Sequence, residues 1–519
     1  MAVKFLTAKE AAELVPDNAT LASNGFLGGG FAEELVVELE NRFLASGKPR
    51  DLTLEFSAAP GGGTEHGFNH LAHEGLVKKV FGAHFGVAPK LYQMILDNKI
   101  IAYDLPMGVM ASLFREMGAK RPGIISNVGI GTFIDPRLEG GKMNEKTKPE
   151  KDYIKLINVK DKDYLFFEAI PVDYAFIGAT YADEKGNISI EKEVSRLDSL
   201  AIAQACKANG GKVIVQVHDV VKSGDLDPMK VELASTLVDY VVVASDDKYR
   251  KQTVATQYNP GLSGEHRMPA GSVAPQPLTA KKIIGRRGAM ELRNGSIVNL
   301  GVGIPEYVSL VAIEEGIING CTMTVEDGIF GGGPQSGLDF GSSLNPESMI
   351  PMPDMLNFYD GGGLNQCFLG FAELDGSGNV NVSKFGPVLP GCGGFIDISQ
   401  NTKEVYFCGT FTAAGLKIEA KDGELHILQE GKVDKICKAV EQISFSAKTA
   451  ISNGDTVLYI TERAVFKLTD KGIELIEIAP GVDLEKDVLA HMPIRPIISK
   501  NLKKMDARIF TDEKMGLKQ

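Results

Sequence analysis

Nearly continuous apolar runs set between helical stretches constrain the fold of this chain most strongly. "VDYAFIGATYAD" (172–183), "GKVIVQVHDV" (211–220) and "VDYVVVASDD" (238–247) are rich in β-branched and apolar residues, and "DSLAIAQACKANGG" (198–211) carries a helical pattern. A strand that is apolar on both faces belongs in a parallel sheet covered by helices on either side. The sequence therefore predicts an α/β protein with mostly parallel sheets. Because 519 residues exceed what one hydrophobic core usually organises, at least two domains are expected.

A segment rich in Pro, Gly and Ser, "NPGLSGEHRMPAGSVAPQPL" (259–278), has no period and reads as a connection. It sets the expected boundaries: an N-terminal domain over 1–262, a linker over 263–277 and a C-terminal domain over 278–519. The C-terminal part echoes the beginning of the chain. "LTAK" occurs at 6–9 and at 278–281, and "DNATLASNGFLGGGFAEEL" has a counterpart in "RNGSIVNLGVGIPEYVSL", which aligns Gly25 with Gly301. "LTLEFSAAPGGG" (52–63) likewise matches "MTVEDGIFGGGP" (323–334) and puts Glu55 opposite Glu326. Three echoes in one order favour two copies of a common α/β unit over chance similarity.

Composition removes several classes of function. A net charge of -12 and a pI near 5.3 oppose nucleic-acid binding, which draws its affinity from basic residues. No apolar stretch approaches the ~20 residues that cross a bilayer, and the first residues lack a signal-peptide core, so a cytoplasmic location is expected. The six cysteines form no close pair, so no disulfide framework or metal motif is implied. The polar stretch 133–153 is expected to be a surface loop.

The glycine clusters at 28–30, 61–63, 331–333, 361–363 and 391–394 lack the ending of a phosphate-binding P-loop and the spacing of a dinucleotide fingerprint. They read either as tight turns or as backbone that approaches a ligand closely and points N–H groups at it. His66, His70 and His73 would share one face if helical, so zinc is weighed against a surface or pocket-lining role, and no metal is expected. Glu326 has no His, Cys or Lys beside it. A carboxylate ionised at neutral pH needs no partner base and can attack an activated acyl group whose leaving thiolate needs no proton, which fits acyl transfer from a thioester. A cap or a salt bridge is the structural alternative for a strand-end Glu.

With these residues in view, the chain resembles the family I CoA-transferases, most closely the propionate (short-chain acyl) group. The matching segments run almost from end to end and include "SNGFLGGGFAEEL", "VGIGTFIDPRLEGGKMNEKT", "VEDGIFGGGP", "FYDGGGLNQCFLGFAELDGSGNVNVSKFG", "GCGGFIDISQ" and "FCGTFTAAGLKIE". The resemblance implies two CoA-transferase-like α/β domains with the active site between them. It implies ping-pong transfer of CoA from an acyl-CoA to a free carboxylic acid through a glutamyl-CoA thioester on Glu326, with no cofactor beyond the CoA substrate. Gly391, Gly393 and Gly394 would surround the thioester, with the Gly391 or Gly393 N–H holding the oxyanion. Gly28, Gly29, Gly30 and Met107 would form the acyl pocket. Gly361, Gly362 and Lys384 are candidates for CoA contacts, as is the basic "AKKIIGRR" segment (280–287). A homodimer or homotetramer is implied.

Three departures from the family pattern stand out. Met107 replaces a usual Gln and cannot donate a hydrogen bond. Asp327 replaces a small Ser or Asn, so it either adds charge beside Glu326 or points elsewhere. "FLGGGFAEEL" lacks the usual Asn and Pro. Acids of the acetate, propionate, lactate and butyrate class are the expected substrates. A bulkier branched or aryl-acrylic acid such as a hydroxycinnamate is one alternative, and acyl-CoA hydrolysis is another.

Overall fold

A computed structural model describes residues 3–269 and 275–518. Residues 270–274 of the expected linker lie outside the described residues. The chain forms two compact units. The first comprises Met1–Met268, Val325–Asn357 and Pro387–Asp397, and the second Pro269–Thr324, Phe358–Gly386 and Ile398–Gln519. Two segments from the C-terminal half of the sequence, 325–357 and 387–397, thus group with the first unit.

The first unit is built on eight parallel strands: β1 (Lys4–Leu6), β2 (Thr20–Ser23), β3 (Leu52–Phe56), β4 (Val77–Gly82), β5 (Ile101–Asp104), β6 (Tyr174–Gly178), β7 (Lys212–Val217) and β8 (Tyr240–Val243), in the order β1-β8-β7-β6-β2-β3-β4-β5. The apolar runs anticipated from the sequence are β6, β7 and β8, with Phe176, Val215 and Val241 fully buried, as strands covered on both faces require. Four helices matter here: α1 (Glu33–Ser46), α2 (Pro89–Leu96), α3 (Met107–Gly118) and α4 (Ser199–Ala208). α3 packs on α4, and a Cβ on Gly118 would lie 3.0 Å from Gln204 Cβ, so glycine there permits the approach.

The stretch 133–153 differs from expectation. Phe133, Ile134, Met143 and Thr147 are buried, and the segment closes the edge of the sheet at β5. The Asp104 N–H donates to the Gly141 carbonyl at 2.8 Å, the Met143 N–H to the Ala102 carbonyl at 3.1 Å, and the Ala102 N–H to Thr147 Oγ1 at 2.8 Å. An edge strand leaves one row of backbone groups unpaired, and this polar, aperiodic segment satisfies them. The predicted linker is also partly ordered. Pro260–Ser263 is helical, and Asn345 binds the backbone of Met268 through both its side-chain oxygen and its amide nitrogen.

The three histidines lie in and around a short 3-10 turn, Phe68–Leu71, and face acidic side chains of α1. His70 Nε2 is 3.1 Å from Glu33 Oε1 and its Nδ1 is 2.5 Å from Glu40 Oε2, while His73 Nε2 is 2.6 Å from Glu40 Oε1. No cluster among the described residues has the arrangement of a metal site.

The second unit is built on eight further strands: β9 (Ile297–Leu300), β10 (Thr322–Val325), β11 (Gln366–Leu369), β12 (Glu404–Cys408), β13 (Thr456–Ile460), β14 (Ala464–Thr469), β15 (Gly472–Ile478) and β16 (Ile497–Lys504). Their order is β10-β9-β11-β12-β13-β14-β15-β16, parallel through β13 and antiparallel from β13 to β15. α5 (Ala280–Ala289) and α6 (Glu306–Glu315) meet where Gly285 and Gly288 leave room, since Cβ atoms there would lie 2.6 Å from Tyr307 and 2.8 Å from Val308. No helix among the described residues is long and apolar enough to cross a membrane.

Burial opposes the charged form of His70, yet hydrogen bonds to Glu33 and Glu40 outweigh it and hold its pKa at about 9. Burial would likewise raise Glu33, but bonds from His66, His70 and the Gly67 N–H hold it at about 2. The His70 contribution is therefore complete below its ordinary value near 6.5 and is lost as pH rises through about 9, whereas the Glu33 contribution is complete above about 4.5 and is lost as pH falls through about 2. His70→Gln is expected to cost about 1–3 kcal/mol at pH 6 and progressively less as pH rises from about 6.5 through about 9, measured by urea denaturation across that range. A pH-independent difference would rule out this ionic clamp.

Candidate functional site

The carboxyl ends of β4 and β5 converge on the glycine loop at 391–394, where parallel α/β sheets place their ligands. After β4 the chain continues as Ala83, His84, Phe85 and Gly86, and this stretch pairs with the loop through its backbone. The Phe85 and Gly86 N–H groups donate to the Pro390 carbonyl at 2.6 and 3.2 Å, and the Gly393 N–H donates to the Ala83 carbonyl at 2.7 Å. Gly391 has φ +80°, and a Cβ there would lie 2.6 Å from the Ala83 oxygen, so only glycine suits this crossing.

Asp104, the last residue of β5, is fully buried and grips the same loop. Its Oδ2 accepts the Cys392 N–H at 2.9 Å, and its Oδ1 is 3.2 Å from Cys392 Sγ. Burial pushes the Asp104 carboxyl well above the usual carboxylate range, and the Cys392 thiol is likewise pushed up, by burial and then by Asp104. His84, beside Gly393, is held neutral by burial, which lowers it to about 4, and its Nδ1 has no hydrogen-bond partner.

Met107 opens α3, two residues beyond Leu105, and is buried. Its N–H donates to the Gly393 carbonyl at 3.1 Å, which ties this sequence-predicted position to the glycine loop through backbone. Gly108 follows, and a Cβ there would lie 2.5 Å from Asp397 Oδ1 and 3.0 Å from Leu356 Cβ. Burial raises Asp397 to about 7, opposed by the Gly108 and Met107 N–H groups at the start of α3.

The Gly393 N–H is engaged by the Ala83 carbonyl, while the N–H groups of Gly391 and Gly394 have no protein acceptor among the described residues.

Glu326 lies one residue past β10 and is 8% exposed. Gly328, with φ +125°, turns the chain immediately afterwards at a point where a Cβ would lie 2.0 Å from the Ile350 oxygen. Asp327 is fully buried, and the Ser195 hydroxyl holds its backbone carbonyl at 2.8 Å. Burial, and then the neighbouring Glu326, push the Asp327 carboxyl well above its ordinary value. Its side chain is thus enclosed in the protein, and burial disfavours its charged form. Glu55, the echo of Glu326, is fully buried within β3, with neither carboxyl oxygen hydrogen bonded and its pKa pushed well up by burial.

Gly28, Gly29 and Gly30 are closely covered. Cβ atoms on them would lie 2.8 Å from Val254, 2.9 Å from Val194 and 2.7 Å from Leu197. The remaining candidates belong to the second unit. Gly361 and Gly362 form an exposed turn in which the Gly362 N–H returns to the Tyr359 carbonyl at 2.9 Å. Lys384 is half-buried in a turn whose carbonyl accepts from Asn381 Nδ2 at 2.6 Å. The basic α5 segment is internally engaged: Lys282 pairs with Glu314 at 2.9 Å, Arg287 with Glu477 at 2.8 Å, and Arg286 donates to the carbonyls of Ile509, Thr511 and Glu513. These three side chains brace the fold, while Lys281 of the same segment is exposed, with its Nζ 5.8 Å from the centre of the Tyr307 ring.

Sequence reasoning missed Asp104 and Asp397. The one available signal for Asp104 was its place at the end of an apolar strand, just before "LPMG" and a helix.

The fold and this glycine-loop site define a CoA-transferase, and comparison with known proteins agrees. The family model described as Coenzyme A transferase matches residues 5–244. The chain is 45% identical over 519 residues to caffeate CoA-transferase of Acetobacterium woodii, covering 99% of this chain and 98% of the relative. It is 44% identical over 516 residues to acetate CoA-transferase YdiF of Escherichia coli strain K12, covering 99% and 96%. The apoenzyme structure of the Escherichia coli O157:H7 acyl-CoA transferase YdiF superposes with a TM-score of 0.93 at 43% identity over 99% of this chain and 98% of that one. The structure of the same transferase described as a thioester complex with CoA gives a TM-score of 0.92, also at 43% identity and with the same coverage. This chain belongs to the family I CoA-transferases and is an enzyme that transfers CoA between carboxylic acids. The relatives' names carry caffeate and acetate, not propionate.

Asp104→Leu removes the acceptor of the Cys392 N–H and is expected to cost about 1–3 kcal/mol in chemical denaturation, together with a marked fall in transfer rate. Asp104→Asn retains an acceptor and should restore most of both. Unchanged stability and rate in the Leu variant would show that the loop holds itself.

Proposed function

We propose that Glu326 carries CoA covalently during transfer. In this reading the Glu326 carboxylate attacks the donor thioester carbonyl, CoA thiolate leaves, and a mixed anhydride forms. The thiolate then attacks the glutamyl carbonyl and expels the donor acid, leaving glutamyl-CoA. The acceptor carboxylate attacks that carbonyl, thiolate leaves again, and its attack on the acceptor side of the new anhydride releases acyl-CoA and restores Glu326. Each step exchanges one activated acyl bond for another, so no cofactor beyond the thioester is needed. The carrying observation is the place of Glu326, one residue past β10 at the turn that Gly328 makes, with 8% of its surface exposed. The thioester complex described for the 43% identical relative supports the same intermediate. The enzyme is taken to act as a homodimer or homotetramer in the cytoplasm.

For the acid, we favour a small one of the acetate to butyrate class. Val194, Leu197 and Val254 fill the space over Gly28–Gly30, and a segment without room for a methyl group suits a short acyl chain better than an aryl-acrylic one. With Val254→Ala, kcat/KM for a hydroxycinnamate relative to acetate should rise about tenfold or more, measured in paired transfer assays. An unchanged ratio, or a wild type that already prefers the hydroxycinnamate, would reverse this assignment.

Intact-protein mass after incubation with acetyl-CoA and no acceptor tests the carrier. The expected result is addition of CoA less one water to the wild type, discharged by added acid. Glu326→Gln should show no adduct, and its turnover should fall by several orders of magnitude. An adduct that survives in Glu326→Gln would place the carrier elsewhere.

A further inference from the structure

Among the described residues of the second unit, Lys435 is a largely buried cation whose ammonium hydrogen bonds to no carboxylate or carbonyl. Lys435 immediately precedes the short strand Ile436–Cys437 and is 8% exposed. Its carbonyl accepts the Leu374 N–H at 2.9 Å, which fixes the backbone, while its Nζ lies 3.9 Å from the centre of the Phe371 ring. Among the described residues no oxygen accepts a hydrogen bond from this ammonium. The nearby carboxylate is already engaged: Glu462 Oε2 accepts the Phe411 N–H at 2.9 Å, and Oε1 accepts Arg463 Nε at 2.7 Å. Burial lowers the Lys435 pKa to about 8, with Glu462 opposing only in part.

The surroundings leave space for this side chain and for something more. Gly409, directly after β12, would place a Cβ 2.6 Å from both Lys435 Nζ and the Phe371 ring, so the ammonium and the ring occupy the volume that any other residue would claim. Gly370, directly after β11, has no atom within 4 Å of its would-be Cβ. Both glycines lie at the carboxyl edge of the parallel strands, where α/β sheets bind ligands. Contact with an aromatic face offsets only part of the cost of withdrawing an ammonium from water. The other buried cations of this unit, Lys282, Arg286, Arg287 and Arg463, have carboxylate or carbonyl partners.

Resting on the transferase reading, we infer that Lys435 is an anion-binding residue that contacts an oxyanion of the substrate, either a phosphate of CoA or the carboxylate of the acid. One hydrogen bond to a charged group corresponds to a change in affinity of about ten- to a hundredfold.

The test compares wild type with Lys435→Met, which fills similar volume and removes an unpaired charge, so it should fold at least as stably. If the anion is a phosphate, calorimetric affinity for CoA falls about ten- to a hundredfold while transfer from an acyl-pantetheine lacking phosphates is unchanged. If it is the acid's carboxylate, KM for acetate rises by a similar factor and CoA affinity stays constant. Unchanged values for both would overturn the proposal. A second measurement does not depend on turnover: Lys435 acetylation by acetic anhydride at pH 8, read by peptide mass, should be suppressed by S-methyl-CoA, which has no thiol to consume the reagent, by inorganic pyrophosphate or by acetate. Suppression without any covalent adduct on Glu326 would retain the anion site while rejecting the carrier mechanism, and absence of suppression by all three would reject the anion site.

Discussion

The bond from the Cys392 N–H to the buried Asp104 carboxyl fixes the centre of the first unit. A glycine loop has little intrinsic reason to hold one conformation, because glycine loses more backbone entropy on ordering than any other residue. Here the 390–393 stretch is laced to 83–86 by three backbone hydrogen bonds, to Asp104 by a fourth and to the start of α3 by a fifth. Two strand ends and a helix N-terminus therefore set where the Gly391 and Gly394 N–H groups lie. The loop is thus held in one place before any ligand arrives, which is the condition that a preorganised set of backbone donors requires.

Around that centre, burial controls charge. Asp104, Asp327 and Asp397 are all carboxyls raised by desolvation, Asp397 to about 7. A carboxyl without a nearby cation keeps its proton more readily than it pays for a buried charge. The exception beside the loop is His84, which burial keeps neutral from the basic side.

Much of the architecture was legible because it is periodic. The apolar runs of β6, β7 and β8 state their two-sided burial residue by residue, and α4 between β6 and β7 is evident from its spacing. The stretch 133–153 was not legible, since what it contributes is backbone hydrogen bonding to β5, and an edge can be satisfied by almost any polar sequence. The basic α5 segment was misleading for a related reason: charge is visible in a sequence, while the carbonyls that Arg286 meets some 220 residues later are not. Lys435 has the opposite character, an ordinary Lys in sequence whose lack of partners emerges only in three dimensions.

The echo of Glu55 and Glu326 shows how a small shift along a strand separates structure from chemistry. β2 pairs with β3 and β9 with β10, both in parallel, so the corresponding strands are neighbours in each half. Glu55 is the penultimate residue of β3, in register with Ala22 on one side and Phe81 on the other, and interior strands shield it completely. Glu326 falls one residue beyond β10, where the ladder has ended and Gly328 turns the chain away. A carboxyl inside the ladder is held as a neutral acid, and its lone pairs are withdrawn from any incoming electrophile. One placed just past the strand end keeps an exposed edge. Strand register thus separates the two: Glu55 lies within the ladder, and Glu326 lies just beyond its end.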